Sequence, residues 1–147
     1  MLINSITPNL IEACADVFVQ SYNQAPWNYQ WELDDAIKYL SEYVSCDRFK
    51  GFALYEDEQL AGALLAHTKT WWTGPQLYVD ELFISPQYQN RGFGKVLINL
   101  AEQYAIDNEL NSVMLMTNKY MPAMDFYTKN DYIHAQPFVV LFKQPEC

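Results

Sequence analysis

The chain has no apolar run near the ~20 residues that cross a bilayer. Its first residues, Met1-Leu2-Ile3-Asn4-Ser5, lack the basic stretch that opens a secretory signal. Basic residues are scarce throughout: nine Lys and Arg are scattered among eighteen Asp and Glu, a net charge of −9. A nucleic-acid surface needs a basic stripe, so that class of partner is excluded, and anionic membranes are disfavoured on the same ground. Three cysteines, Cys14, Cys46 and Cys147, make an odd number without metal-ligand spacing. Reduced thiols in a cytoplasm are therefore expected, with Cys14 and Cys46 as small core residues and Cys147 in a loose tail. The two histidines, His67 and His134, stand isolated, with no Cys, Asp or His at ligand spacing, so no metal site is expected. A Ser-His-Asp nucleophile pattern is missing as well.

What is present is apolar and aromatic. Half of the residues are hydrophobic and 16% are aromatic, which excludes disorder, and 147 residues suit one domain with one core. No linker, repeat or low-complexity segment divides the chain, so residues 1–147 read as a single domain. Leu2 to Ile6 is a short strand. Thr7-Pro8 starts a helix with Leu10, Cys14, Val17 and Phe18 inward, since proline suits the first helical position. A second helix follows, with Leu33, Ile37, Leu40 and Val44 inward and the acids Glu32, Asp34 and Asp35 near its positive end. Residues 52–55 and 60–65 form a hairpin about the polar turn Glu56-Asp57-Glu58. Thr73-Gly74-Pro75 turns the chain into a strand over 77–84. A long helix, a buried strand over 113–116, a short helix over 122–129 and a final strand over 139–142 complete the order β-α-α-β-β-β-α-β-α-β. The fold class is mixed α/β.

The most specific stretch runs from Val79-Asp80-Glu81-Leu82-Phe83-Ile84 through Pro86 to Gln89-Asn90-Arg91-Gly92-Phe93-Gly94-Lys95. It reads as a strand, a glycine loop and a helix whose inner face is Phe93, Val96, Leu97, Leu100, Ala101, Tyr104 and Ala105. The first N–H groups of a helix lack intrahelical partners and carry partial positive charge, and glycine lets the backbone approach an anion closely. A phosphorylated ligand is expected there, with Arg91 and Lys95 as its charge partners. The spacing fits neither a Walker loop nor a dinucleotide-binding fingerprint. It resembles instead the Gln/Arg-x-x-Gly-x-Gly pyrophosphate loop of the GNAT superfamily of N-acetyltransferases. Downstream, Phe126-Tyr127-Thr128-Lys129-Asn130-Asp131-Tyr132 is similar to the Phe-Tyr-x-x-x-Gly-Phe segment of that superfamily.

The resemblance implies a central mixed sheet flanked by helices and an acetyl-CoA-dependent transferase, and the spacing of the residues themselves adds no metal. The loop Gln89, Asn90, Arg91, Gly92, Phe93, Gly94 and Lys95 would hold the pyrophosphate. Backbone groups of Leu82, Phe83 and Ile84 would bind the pantetheine arm and polarise the thioester, with Asn118 as a further contact. Tyr127 matches the family's acid for the departing thiolate; a phenol has a reference pKa near 10 and stays protonated at neutral pH. Asp80 and Glu81 are the candidates for receiving the amine proton. Strand side chains alternate, so one of the two faces the cleft unless a bulge intervenes.

The acceptor is expected to be a small cationic amine: a polyamine, an amino-sugar or an amino-acid derivative. Trp27, Trp31 and Tyr78 are the pocket candidates, because rings beside carboxylates suit an ammonium. The same aromatics serve equally as core or as a homodimer interface. The Pro26-Trp27-Asn28 loop and the helix start at Trp31 look like a subgroup labelled aminoglycoside 6′-type acetyltransferases. The negative field would draw cations in, or simply keep the protein soluble. Two alternatives stand beside the small-amine enzyme: a protein N-terminal or lysine acetyltransferase, and a non-catalytic acyl-CoA-binding regulatory module. Tyr127 and the paired carboxylates favour an enzyme.

Overall fold

Strand pairing grows from a two-residue turn in which Asp57 and Glu58 both take positive φ, 52° and 63°. That handedness matches the twist of the strands it joins. The computed structural model describes residues 1–145, in two compact units, 1–116 and 117 onward. In the first unit β2 (Phe49–Glu56) and β3 (Gln59–Lys69) run antiparallel out of the turn. β1 (Leu2–Ser5) pairs outside β2, and β4 (Gln76–Ile84) pairs beside β3, both antiparallel. β5 (Ser112–Leu115) lies parallel to β4 and completes the order β1-β2-β3-β4-β5. Parallel neighbours need a long return path, and α3 (Phe93–Asp107) lies on it.

Alternation along the strands divides the core between two faces. Ala53, Ala63, Leu65 and Phe83 pack with Cys14, Ala15, Val17 and Phe18 of α1 (Ile11–Tyr22) and with Ala36 and Leu40 of α2 (Leu33–Val44). The intervening residues Leu54, Leu64, Ala66, Leu77 and Val79 are buried on the opposite side. Phe52, on that side, meets Tyr104 of α3 with ring centroids 6.4 Å apart. The buried residues of α3 are Phe93, Leu97, Ile98, Ala101 and Ala105. Ile98 thus joins the expected stripe, and Val96, Leu100 and Tyr104 flank it.

Three expectations shift at element ends. The Thr7-Pro8 start forms one 3₁₀ turn, Pro8–Leu10, before α1 begins. Leu33, the first residue of α2, is exposed, and the inner face begins at Ala36. Cys46 is exposed and not a core residue: it lies past the end of α2, with its thiol directed at the Glu42 carbonyl 3.3 Å away. Cys14 is buried, and burial pushes its thiol up to about 12. Cys147 lies outside the described residues.

The second unit is built on α4 (Pro122–Lys129), which opens on Pro122 and buries Tyr127. It ends with the Tyr132 N–H on the Tyr127 carbonyl (3.0 Å) and the Asp131 N–H on the Thr128 carbonyl (3.1 Å). This is the left-handed helix stop usually given to glycine, here made by Asp131 at φ 69°. The strand expected over 139–142 does not form. Phe138, Val139, Val140, Leu141 and Phe142 are 67–87% exposed and belong to no sheet. Their β-branched and aromatic character favours a strand only where cross-strand neighbours exist, and this run has none among the described residues.

Candidate active site

Between β3 and β4 the register runs Leu64↔Leu82 and Leu65↔Glu81, then Ala66↔Val79, leaving Asp80 as one extra residue. Such a bulge opposes two residues to one and interrupts alternation. Alternation alone places Asp80 and Glu81 on opposite faces; the bulge overturns this. Tyr78, Asp80, Glu81 and Phe83 all lie on the face that carries α1 and α2. Asp80 Oδ2 meets His67 Nδ1 at 2.6 Å. Glu81 receives the Tyr22 hydroxyl on Oε2 and the Tyr39 hydroxyl on Oε1, each at a long 3.5 Å.

Burial governs the charges here. It raises Asp80 above the usual carboxylate range, against the hydrogen bond and charge of His67 and the charge of Lys69. Burial lifts Glu81 further, to about 8, with Asp80 adding repulsion and the two tyrosine hydroxyls opposing the rise. The Tyr39 phenol is pushed up by burial and then by Glu81. His67, expected to stand alone, is therefore corrected to a partner of Asp80. Thirteen residues separate them in the chain, but strand pairing sets His67 across from Tyr78, beside the bulge.

Aromatic rings surround this pair of carboxylates. Tyr22, which touches Glu81, stacks on Tyr29 at 5.8 Å and meets Trp27 edge-on at 5.4 Å. Tyr39, the other Glu81 donor, packs on Trp31 at 5.2 Å and shares a 3.2 Å hydrogen bond with Tyr43. Asn23 fixes the loop before α2: its side chain donates to the Trp31 carbonyl and accepts the Trp31 N–H, both at 2.9 Å. Tyr78 lies 5.8 Å from the His67 ring, with the Lys69 ammonium 5.6 Å above its own ring. Trp72, by contrast, is 85% exposed in the turn before β4.

Just past the bulge, β4 loses a neighbour. β5 pairs with Gln76 through Val79 and stops at Val79↔Leu115, so residues 80–84 have β3 on one side and, among the described residues, no strand on the other. Leu82, Phe83 and Ile84 lie on this open stretch. Gly62 supports it from β3: a Cβ there would stand 2.8 Å from the Phe83 carbonyl oxygen. The chain then folds back, with the Gln89 amide donating to the Ile84 carbonyl at 3.0 Å. Asn90 and Gly92 follow at φ 63° and 83°, and Gly92 caps α3 with open space where a Cβ would be. The first turn of α3 has neither a side-chain cap nor an acid. The N–H groups of Phe93, Gly94 and Lys95 consequently have no intrahelical acceptor. The Arg91 guanidinium lies over the Tyr88 and Phe93 rings, at 5.3 and 5.4 Å, and Lys95 is exposed.

In the second unit, the Tyr127 ring lies 5.1 Å from Phe126 and 5.7 Å from Tyr132. The Asn118 side chain accepts the Tyr120 N–H at 2.9 Å.

A model described as the acetyltransferase (GNAT) family matches residues 12–132. The chain belongs to this family. It is an acetyltransferase, and its mixed sheet with flanking helices is the family's fold. No curated protein sequence matches it significantly. Among solved structures, an aminoglycoside acetyltransferase from an uncultured soil metagenomic sample, in complex with trehalose, is similar. Its TM-score is 0.76 at 16% identity, over 99% of this chain and 96% of that one. A probable acetyltransferase superposes with TM-score 0.79 at 14% identity, over 100% and 99% of the two chains. A transcriptional regulator from Bacillus halodurans C-125 reaches 0.78 at 14% identity, over 97% and 99%. At these identities the likeness is one of fold.

In this acetyltransferase the first unit brings together most of the residues singled out from the sequence. Asp80, Glu81 and Tyr78 share a face, and Trp27 and Trp31 reach Glu81 through the rings of Tyr22 and Tyr39. Leu82, Phe83 and Ile84 lead directly into the loop of Gln89 to Lys95. Sequence reasoning missed His67, Tyr22, Tyr39 and Tyr43. For His67 a usable signal existed, since pairing the two strands across Thr73-Gly74-Pro75 brings it level with Tyr78. The tyrosines offered none, because i, i+4 aromatics on a helix read as core.

Proposed function

We propose that this acetyltransferase moves the acetyl group of acetyl-CoA to a primary amine of a small cationic substrate, by direct attack and without a metal. The observation that carries the proposal is the bulge at Asp80. It puts two carboxylates on one face at the point where β4 becomes free to pair with a ligand. Leu82, Phe83 and Ile84 offer backbone donors and acceptors to the pantetheine arm, and donors fixed in advance contribute several kcal/mol to an oxyanion-like transition state. The open N-terminus of α3, with Gln89, Asn90, Arg91, Gly92, Phe93, Gly94 and Lys95, receives the pyrophosphate. Gln89 serves there by bracing the loop on Ile84. Asp80 draws the ammonium by charge and Glu81 offers it a carboxyl oxygen, within the rings of Trp27, Trp31 and Tyr78, where cation–π attraction adds to charge. Family resemblance assigns Asn118 to the coenzyme and Tyr127 to protonation of the departing thiolate, within one catalytic domain. The free Cys14 and Cys46 suit a reducing cytoplasm.

Amino-sugars and polyamines fit this chemistry as multiply charged amines. A soil metagenomic aminoglycoside acetyltransferase solved in complex with sisomicin shares the fold, with TM-score 0.73 at 16% identity, and motivates including amino-sugars. Thiol release from acetyl-CoA over a panel of polyamines, amino-sugars and amino-acid derivatives tests the proposal. Release with cationic amines is expected. Acetyl-CoA binding without release against any amine would overturn it in favour of a binding module.

A further inference from the structure

His67 projects from β3 onto the α1–α2 face, where its Nδ1 meets Asp80 Oδ2 at 2.6 Å. The Asp80 side chain is 4% exposed and that of His67 25%, so the carboxylate is the inner partner and the imidazole the outer one. An ionised carboxylate only accepts. With a neutral imidazole, Nδ1 therefore carries the proton and donates it to Asp80, which leaves the lone pair on Nε2. No hydrogen bond among the described residues occupies Nε2.

We propose that Nε2 of His67 takes the proton of the incoming ammonium. Asp80 is the positioning residue that fixes the ring and its tautomer and steadies the imidazolium that forms. This role rests on the amine-transfer function proposed above. The ammonium gives one proton to Nε2, and the freed nitrogen lone pair forms the N–C bond at the thioester carbonyl carbon. The C–S bond then breaks with its electron pair on sulfur, which takes up one proton as the attacking nitrogen loses its second. Imidazolium finally returns its proton to water. One ammonium and one thioester give one amide, one thiol and one proton.

The groups around His67 suit this role better than Glu81 suits it. Tyr78 lies beside the ring, with Lys69 over Tyr78 and Tyr43 of α2 acting on it. Glu81 follows Asp80 on β4, and Arg48, before β2, is engaged with Thr70 at 3.0 Å. Glu81 is buried with a phenol directed at each of its carboxyl oxygens, so the more exposed imidazole is the group left for the ammonium to reach.

The test is His67→Asn, whose amide N–H can still reach Asp80 while the basic nitrogen is lost. At about pH 7, kcat/KM for the best amine is expected to fall by roughly 10²- to 10⁴-fold. The loss should shrink by about tenfold or more near pH 9.5, where the free amine is abundant without help. Acetyl-CoA affinity should stay at the wild-type level. A folded His67→Asn protein with the wild-type rate and pH profile overturns the proposal, as does a loss that is the same at both pH values. A second readout needs no turnover: the nitrogen NMR spectrum of neutral His67 should show the Nδ1–H tautomer, and an Nε2–H tautomer overturns the assignment. A wild-type protein that releases no thiol with any amine would sink the transfer function itself. A failure confined to the variant or the tautomer would sink only the role of His67.

Discussion

Glu81 is ionised in water well below neutrality, yet burial in this chain lifts its carboxyl from an ordinary 4.5 to about 8. The folded pKa is the higher one, so folding favours the neutral form. Stability from this group is whole below about pH 4.5 and is lost progressively as pH rises toward 8, because the unfolded chain ionises first. Glu81→Gln keeps an acceptor for the hydroxyls of Tyr22 and Tyr39 and removes the titration. Between about pH 5 and pH 8.5 the wild type should lose a few kcal/mol more unfolding free energy than the variant, measured by urea titration. Parallel losses would mean that water reaches Glu81 freely. The same scale tests Tyr127. Tyr127→Phe keeps the ring on Phe126 and Tyr132 and removes the hydroxyl alone. Turnover should fall by roughly 10- to 1000-fold, with the melting temperature nearly unchanged. Undiminished turnover would return Tyr127 to packing duty. Both positions were readable in the sequence as residue types. The Glu81 environment was not, because its burial depends on Tyr22 and Tyr39, fifty-nine and forty-two residues away along the chain.

Elements differ in how much of themselves they announce. The α3 helix was legible from its apolar period and from the Gly-Phe-Gly entry, since a helix start with φ 83° at its cap leaves few choices but glycine. Gly92→Asp would place a β-carbon on a left-handed backbone and a negative charge at the anion-binding end of the helix. Calorimetry should show acetyl-CoA binding weakened at least a hundredfold, with the circular dichroism of the fold retained; undiminished affinity would remove the coenzyme from this loop. The bulge in β4 was not legible. It requires one residue more on one strand than on its partner, and Asp80 carries no mark of that, being neither glycine nor proline. The strand expected over 139–142 shows the converse error, in which apolar sequence supplied propensity and the fold supplied no partner. The end of α4 lies between these cases. Asp131 holds a left-handed turn where the family segment has glycine. Asp131→Gly should relieve strain of up to about 1 kcal/mol, offset in part by the freer unfolded chain, and raise the melting temperature slightly.

At the scale of the molecule the net charge of −9 favours the encounter with a cation and opposes the encounter with anionic acetyl-CoA. Asp80 is too buried for its attraction to a bound cation to be screened strongly, so salt acts mainly on the long-range field of the surface acids. Raising ionic strength from about 10 mM to about 150 mM shortens the screening length from about 30 Å to about 8 Å. For a polyamine or amino-sugar carrying several charges, kcat/KM should fall by about tenfold over that interval, while kcat, which follows the bound complex, should hold. A monoamine should lose less, in proportion to its single charge. The KM for acetyl-CoA should stay level or drop, because the repulsion it meets is screened by the same ions. If polyvalent and monovalent amines respond alike, the surplus acids serve solubility alone, and discrimination among amines rests entirely on the carboxylates and rings at the bulge.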